Sequence, residues 1–195
     1  LKILVTGGCG YIGSALIPYL LGQDHEVTNI DIQWFGDGFL PQDNEHLINF
    51  KGDLRDTEIL KTAISGAQAV IHLAGMTNDN ACRRDPALAV EVNIKAFQLL
   101  LNEACRMGMR KLIFLSSSAA YGNTKEPVEE THELNPTTPY GADKRICEEL
   151  FTFLKDDRMK CFILRPAGVF GYAPRMRFDL MVNMMTAHGA LRSEI

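Results

Sequence analysis

An α/β fold built on a doubly wound parallel sheet is the expectation for this chain of 195 residues, and three observations carry it. Short apolar runs alternate with helical segments along most of the chain. The runs are apolar almost throughout, as strands covered on both faces must be. The first run feeds a glycine cluster and then an apolar helix, the strand–turn–helix unit from which such sheets are wound. With 46% hydrophobic and 23% charged residues, the chain has the apolar mass for one domain, or one domain plus a fragment.

The elements follow in order. Lys2–Val5 is the first strand. Its glycines fit two overlapping frames, Gly7-x-x-Gly10-x-x-Gly13 and Gly8-x-Gly10-x-x-Gly13, and an apolar helix, Ala15–Leu21, follows at once. Early glycines turn the chain tightly and bring bare backbone against a phosphate; the last lets helix and strand pack closely. The helix N-terminus adds free N–H groups and a partial positive charge. The unit is a candidate site for a dinucleotide pyrophosphate; a plain tight turn is the bland alternative. Glu26–Ile30 is the second strand and ends at Asp31. A carboxylate there accepts hydrogen bonds from both adenosine ribose hydroxyls and repels a 2′-phosphate. No Arg or Lys stands beside it, which favours NAD over NADP. Residues 33–46 form a polar, glycine-rich loop, with Trp34 and Phe35 as loop anchors or an adenine-side wall.

Leu47–Phe50 is the third strand, followed by Gly52-Asp53-Leu54-Arg55-Asp56, a short helix Thr57–Ile64 and a fourth strand Ala69–Leu73. His72, with no second His or Cys at useful spacing, reads as packing rather than as a ligand. Asp85 and Pro86 open a long helix reaching about Met107, Asp as N-cap and Pro in the first turn. Val90, Ile94, Phe97 and Leu101 form one stripe of it; Leu88, Val92, Ala96 and Leu99 form another, nearly opposite. One stripe covers the sheet. The other calls for a second partner, a neighbouring helix or another subunit. Lys111–Leu115 is the fifth strand and Ser116-Ser117-Ser118 follow it, where ligands of such sheets bind. Tyr140–Leu154 is a helix and Cys161–Leu164 the sixth strand. Tyr140 and Lys144 share one helical face, so an ammonium and a positive nicotinamide ring would lower the tyrosine pKa toward that of a useful base. Gly171–Arg177 reads as a loop and Phe178–His188 as a helix. Arg175 or Arg177 suits a nucleotide diphosphate; two solvated arginines are the alternative.

The balance of the composition excludes several classes. Net charge is −4 with no basic run, so nucleic acid is not the expected partner. No apolar segment approaches the roughly 18 residues of a membrane span. The cysteines, Cys9, Cys82, Cys105, Cys147 and Cys161, are odd in number and unlike any metal spacing, so no metal is expected and reduced thiols in a cytoplasmic protein are the simplest account. The chain starts on a strand without an initiator Met and stops at Ile195 without a capped helix, which leads us to expect a truncated chain.

The combination Thr6-Gly-Gly-Cys-Gly-Tyr-Ile-Gly13, Asp31, Gly52-Asp-Leu54, His72-Leu-Ala-Gly75, Asn93, Ser116-Ser-Ser-Ala-Ala-Tyr-Gly122, Tyr140-Gly-Ala-Asp-Lys144 and Leu164-Arg-Pro166 resembles the extended short-chain dehydrogenase/reductase family. Within it the resemblance is to the NAD-dependent nucleotide-sugar epimerase/dehydratase branch, over nearly the whole chain and in family order. The resemblance implies a Rossmann-type NAD-binding domain over 1–166 and the start of a small, incomplete substrate domain over 167–195. It implies that Gly7, Gly10, Tyr11, Ile12 and Gly13 hold the pyrophosphate and that Asp31 binds the ribose. Asp53 and Leu54 would contact the adenine, and Leu73, Ala74, Gly75, Asn93 and Pro166 would line the cofactor cleft. Tyr140 would be the base, Lys144 would bind the nicotinamide ribose and tune Tyr140, and Ser117 would be the reactive hydroxyl. Thr77, Ser117, Ser118, Arg175, Arg177 and Asn183 would face a nucleotide-diphosphate sugar. A homodimer through helices 86–107 and 140–154 is expected. Dehydratases of this branch carry an acid just after the reactive Ser/Thr; Ser118 and Ala119 stand there instead. A redox-neutral epimerase is therefore favoured, ahead of a 4-reductase or dehydrogenase and a non-catalytic NAD-binding protein.

Overall fold

The computed structural model describes residues 1–155 and 158–192. Six strands, β1 (Lys2–Thr6), β2 (Glu26–Asp31), β3 (Leu47–Lys51), β4 (Ala69–His72), β5 (Lys111–Leu115) and β6 (Lys160–Leu164), form one sheet in the order β3-β2-β1-β4-β5-β6. Every pairing is parallel. This is the Rossmann-type, doubly wound sheet that the alternation of strands and helices predicts. Strand order reverses between β1 and β4, so Leu4 lies beside Thr28 on one side and Val70 on the other. A ligand crevice opens outside the carboxyl ends at such a reversal, and the segments that follow β1, β4 and β5 all arrive there.

Alternation along the strands fills both faces. Leu4, Ile30, Val70, Leu112 and Phe114 point to one face and join Leu60, Phe97, Leu100, Leu101 and Phe151 in the larger core. Ile3, Val5 and Val27 point to the other and meet Ile17 and Leu20. The larger core is covered by α2 (Thr57–Ile64), α5 (Ala96–Arg106) and α6 (Pro139–Leu154), the smaller by α1 (Tyr11–Leu21). Caps set the helix starts. Asp56 accepts from the N–H groups of Glu58 and Ile59, and Thr138 from that of Gly141. Gly10 caps α1, which therefore starts four residues ahead of the expected Ala15. A helix that the sequence pattern missed, α3 (Asp79–Arg84), is capped by Asn78. At the C-terminal side lies α7 (Met181–Arg192).

The long helix is corrected. Pro86 does open it as α4 (Pro86–Ala89), with Asp85 accepting from Leu88 N–H. A π-helical segment, Val90–Lys95, then separates it from α5. The Ala96 N–H reaches back to Glu91, five residues rather than four. That extra residue shifts the phase, so neither expected stripe is one continuous face. Phe97 and Leu101 are fully buried in the sheet-side core, while Val90 of the same stripe is exposed.

Candidate active site

The crevice at the strand reversal begins as a close approach of two turns. Gly7 has φ +78°, and a Cβ on it would stand 2.6 Å from Ala74 N. Behind it, a Cβ on Gly13 would stand 2.4 Å from Gly8 Cα, so helix and turn pack backbone on backbone. The result is a bare peptide surface at the N-terminus of α1, built for an anion. Asp31 stiffens the same turn, accepting from Cys9 N–H at 3.0 Å and Gln33 N–H at 2.7 Å. Each carboxylate oxygen keeps lone-pair capacity for a further donor such as a ribose hydroxyl. These features fit a dinucleotide: a cradle that a Cβ would fill, a helix N-terminus, and an acceptor at the end of β2.

A cavity of about 270 Å³ runs from this turn to the end of β5. Gly7, Tyr11, Ile12 and Gly13 line one end of it, and Ser117, Tyr140 and Lys144 the other. Leu73, Thr77 and Pro166 form the wall between, and Arg175 and Arg177 close it from the C-terminal loop. Leu115, Ser116, Ala167, Gly168, Val169 and Leu180 also line it. Gly10, Asp31, Asp53, Leu54, Ala74, Gly75, Asn93, Ser118 and Asn183 lie outside that lining. Asp53 is gripped by Arg55, whose hydrogen bonds hold its carboxyl below the usual range. Ser118 uses its N–H on the Pro166 carbonyl at 2.9 Å.

The chemistry-bearing side chains are held from both partners. Lys144 Nζ donates to the Leu115 carbonyl at 2.8 Å and sits 5.6 Å from the Tyr140 ring centroid. Burial brings its pKa down to about 8, against the pull of Cys147, Asp143 and Glu148. Ser117 Oγ accepts from Ala119 N–H at 3.2 Å, capping a short helical turn. Ser117 and Tyr140 both line the cavity, and Ser117 is among the groups that lower the Tyr140 pKa. The expected acidification of Tyr140 by Lys144 is corrected. Burial pushes the phenol up to about 12, and the groups opposing that rise are Ser117 and the charge of Arg177.

Several residues have tasks that sequence reasoning did not assign. Asn93 clamps the turn after β4: its Oδ1 accepts from Met76 N–H at 2.7 Å and its Nδ2 donates to Asp143 at 2.8 Å. Asn183 is buried, and its amide is engaged by Gly171 N–H, the Arg177 carbonyl and the Tyr11 hydroxyl. Tyr11 in turn donates to the Gly171 carbonyl at 2.6 Å. Arg177 donates to Thr77 Oγ1 at 3.2 Å and is paired with Asp179. Arg175 stacks 3.6 Å above the Phe35 ring, joining the loop after β2 to the C-terminal loop. Glu148 and Arg165, whose pairing no motif signalled, form an ion pair behind the serine turn. Only their long-range contacts reveal them.

Comparison with known proteins agrees with this geometry. The chain is 32% identical over 176 residues to UDP-glucose 4-epimerase of Neisseria meningitidis serogroup B, an alignment covering 84% of this chain and 52% of the relative. The chain thus spans about half the length of the curated relatives it matches. Among solved structures, UDP-N-acetylglucosamine 4-epimerase from Methanobrevibacter ruminantium M1, in complex with UDP-N-acetylmuramic acid, superposes with TM-score 0.88 at 31% identity, over 99% of this chain and 63% of that one. UDP-glucuronic acid 4-epimerase from Bacillus cereus, in complex with UDP-glucuronic acid and NAD, gives 0.84 at 28% identity, over 97% and 63%. The family model for epimerases matches residues 3–192. With the glycine turn, the serine turn and the Tyr140–Lys144 face converging on one cavity, the chain belongs to the NAD dependent epimerase/dehydratase family.

Proposed function

We propose that the protein is an NAD-dependent nucleotide-sugar epimerase that works through a transient 4-keto sugar, with UDP-sugars as its substrates. The observation that carries this reading is the single cavity shared by Gly7 and Gly13 at one end and by Ser117, Tyr140 and Lys144 at the other. Gly7, Gly10, Tyr11, Ile12 and Gly13 would hold the pyrophosphate of NAD, and Asp31 the adenosine ribose. Bound NAD supplies a hydride acceptor that later returns the hydride. Tyr140, ionised to its phenolate, would take the proton of the sugar 4-hydroxyl and later give it back, and Ser117 would donate a hydrogen bond to the same oxygen as its charge changes. Lys144 would bind the nicotinamide ribose and tune Tyr140. Burial holds the Tyr140 phenol up at about 12 even with Arg177 opposing the rise, so forming the phenolate calls for further positive charge beside it, which the oxidised nicotinamide ring would supply. Arg175 and Arg177, which line the cavity, would meet the substrate diphosphate. In this reading residues 1–166 form the NAD-binding domain and 167–195 begin a substrate domain.

The five unpaired thiols support a cytoplasmic location, and no helix among the described residues is long and apolar enough to cross a membrane. Exposed Val90, Ile146 and Phe153 support a homodimer through the segments 86–107 and 140–154.

The test is turnover. The protein is purified without added cofactor, its released NAD is quantified, and UDP-, GDP-, CDP- and dTDP-sugars are followed by NMR. Inversion at one sugar carbon without net redox change is the expected result. Tyr140→Phe should bind NAD normally and lose roughly 100-fold or more in kcat. Net NADH formation or consumption would instead make the protein a dehydrogenase or reductase.

A further inference from the structure

The face of α6 that carries the expected chemistry continues past Lys144. Glu148 is the next residue at four-residue spacing, and all three side chains reach the end of β5. Lys144 donates to the Leu115 carbonyl, Ser116 donates to Glu148, and Tyr140 lines the same cavity as Ser117. Three consecutive residues are thus met by three residues one helical turn apart.

Glu148 is 4% exposed and needs a strong partner. Arg165, at the end of β6, provides it. Its Nε donates to both Glu148 oxygens at 3.0 and 3.1 Å, and its Nη2 to Oε2 at 2.7 Å. Its Nη1 reaches the Tyr121 hydroxyl and the Glu130 carbonyl, both at 2.9 Å. The guanidinium also lies 4.9 Å from the Tyr121 ring centroid. The serine turn is therefore held from α6 through Ser116 and from β6 through Arg165 and Pro166. For stability alone such a pair is a poor device, since desolvation of both charges offsets much of their attraction and an apolar pair packs as well. What the ion pair adds is direction: it fixes where the Ser116 side chain points.

We propose that Glu148, clamped by Arg165, is a positioning residue. Through Ser116 it sets the Ser117 hydroxyl against Tyr140. Its catalytic consequence rests on the epimerase reading; its geometry does not. Misplacement of a reacting group by about 1 Å costs on the order of 100-fold in rate, and a looser tether correspondingly less.

The experiment reads Tyr140 directly. Protein labelled with [13Cζ]tyrosine gives a Tyr140 resonance assigned by Tyr140→Phe, and Ser117→Ala marks its position without the serine hydroxyl. Glu148→Gln and Ser116→Ala should both move the resonance toward the Ser117→Ala position. Both should keep the NAD affinity within about twofold and lower kcat roughly tenfold with KM nearly constant. Ser116→Ala leaves the ion pair in place, so it reads the tether even where Glu148→Gln fails to fold. Glu148→Met combined with Arg165→Met should restore the thermal midpoint while resonance and kcat stay displaced. A resonance that holds the wild-type position in Glu148→Gln and Ser116→Ala overturns the proposal. So does one indifferent to Ser117→Ala, or a double variant that returns to wild type throughout. The resonance needs no turnover, so a wild-type protein that epimerises nothing would sink the epimerase reading and leave this result legible.

Discussion

His72 stands 2% exposed at the end of β4, its Nδ1 2.7 Å from Thr6 Oγ1 and its ring stacked on Phe97 and Phe114. It is packing, as the sequence predicts. Burial, with some help from the charge of Lys144, holds its pKa down to about 3 against an ordinary 6.5. The folded state therefore refuses a proton that the unfolded chain accepts. Stability is full above pH 6.5 and declines as the pH falls toward 3. Between pH 7 and pH 5 the loss from this residue is about 2 kcal/mol. Urea unfolding of wild type and His72→Phe at the two pH values checks this: the variant should be less sensitive to pH by that amount, and equal sensitivity would refute the assignment. The same physics acts on Tyr140 and Lys144. Sequence spacing puts both on one face of α6, but it does not report how deeply they are buried. Depth reverses the expected shift of the tyrosine.

At the scale of elements, what was legible depended on whether the signal was local. Asp56 before α2 and Asp85-Pro86 before α4 are capping residues that any reader of the chain can use, and both caps form. The helix α3 was missed because its sequence, Asp79–Arg84, has no apolar stripe; its support is the Asn78 cap and the contact of Asp79 with the Tyr140 N–H. The π segment Val90–Lys95 was missed for a different reason. Its residues are ordinary helix formers, and its cause is tertiary. The widened turn presents the Asn93 carbonyl to the Cys147 thiol at 3.2 Å, and the Asn93 side chain to Met76 and Asp143. Asn93→Ala would orphan Met76 N–H and leave the buried Asp143 carboxylate short of a donor. We expect a loss of about 2–4 kcal/mol together with weaker NAD binding, because the turn after β4 forms one wall of the crevice. Thermal unfolding and calorimetric titration with NAD measure the two effects. A variant with wild-type affinity would detach the clamp from the cofactor site.

Over the whole molecule, the glycine turn and the Tyr140–Lys144 face were readable because each lies within one element. The ties that assemble the cavity were not. Asn183 reaches Tyr11 across 172 residues of sequence, and Arg165 reaches Glu148 between a strand and a helix; no spacing rule encodes such pairs. The outward surface was not legible for the same reason. Read as a continuous α-helix, the segment 86–107 carries two opposed stripes, Phe97 on one of them, and spacing alone does not say which faces outward. In the structure Phe97 faces the sheet, where it is 0% exposed and 4.5 Å from the Phe114 ring centroid. Phe97→Asp would bury an unpaired charge in the core and unfold the protein, at a cost above about 4 kcal/mol, so it cannot report on association. On α6, Phe153 is 86% exposed and lies beyond the ion pair of Arg145 and Glu149. Together with the exposed Ile146 of the same helix, an apolar side chain at that exposure suits a subunit contact. Phe153→Glu should therefore convert the proposed dimer to monomer in sedimentation velocity while leaving the thermal midpoint of the monomer and its NAD affinity nearly unchanged. A Phe153→Glu protein that still sediments as a dimer would move the interface away from α6, and a wild-type protein that sediments as a monomer would remove the dimer altogether.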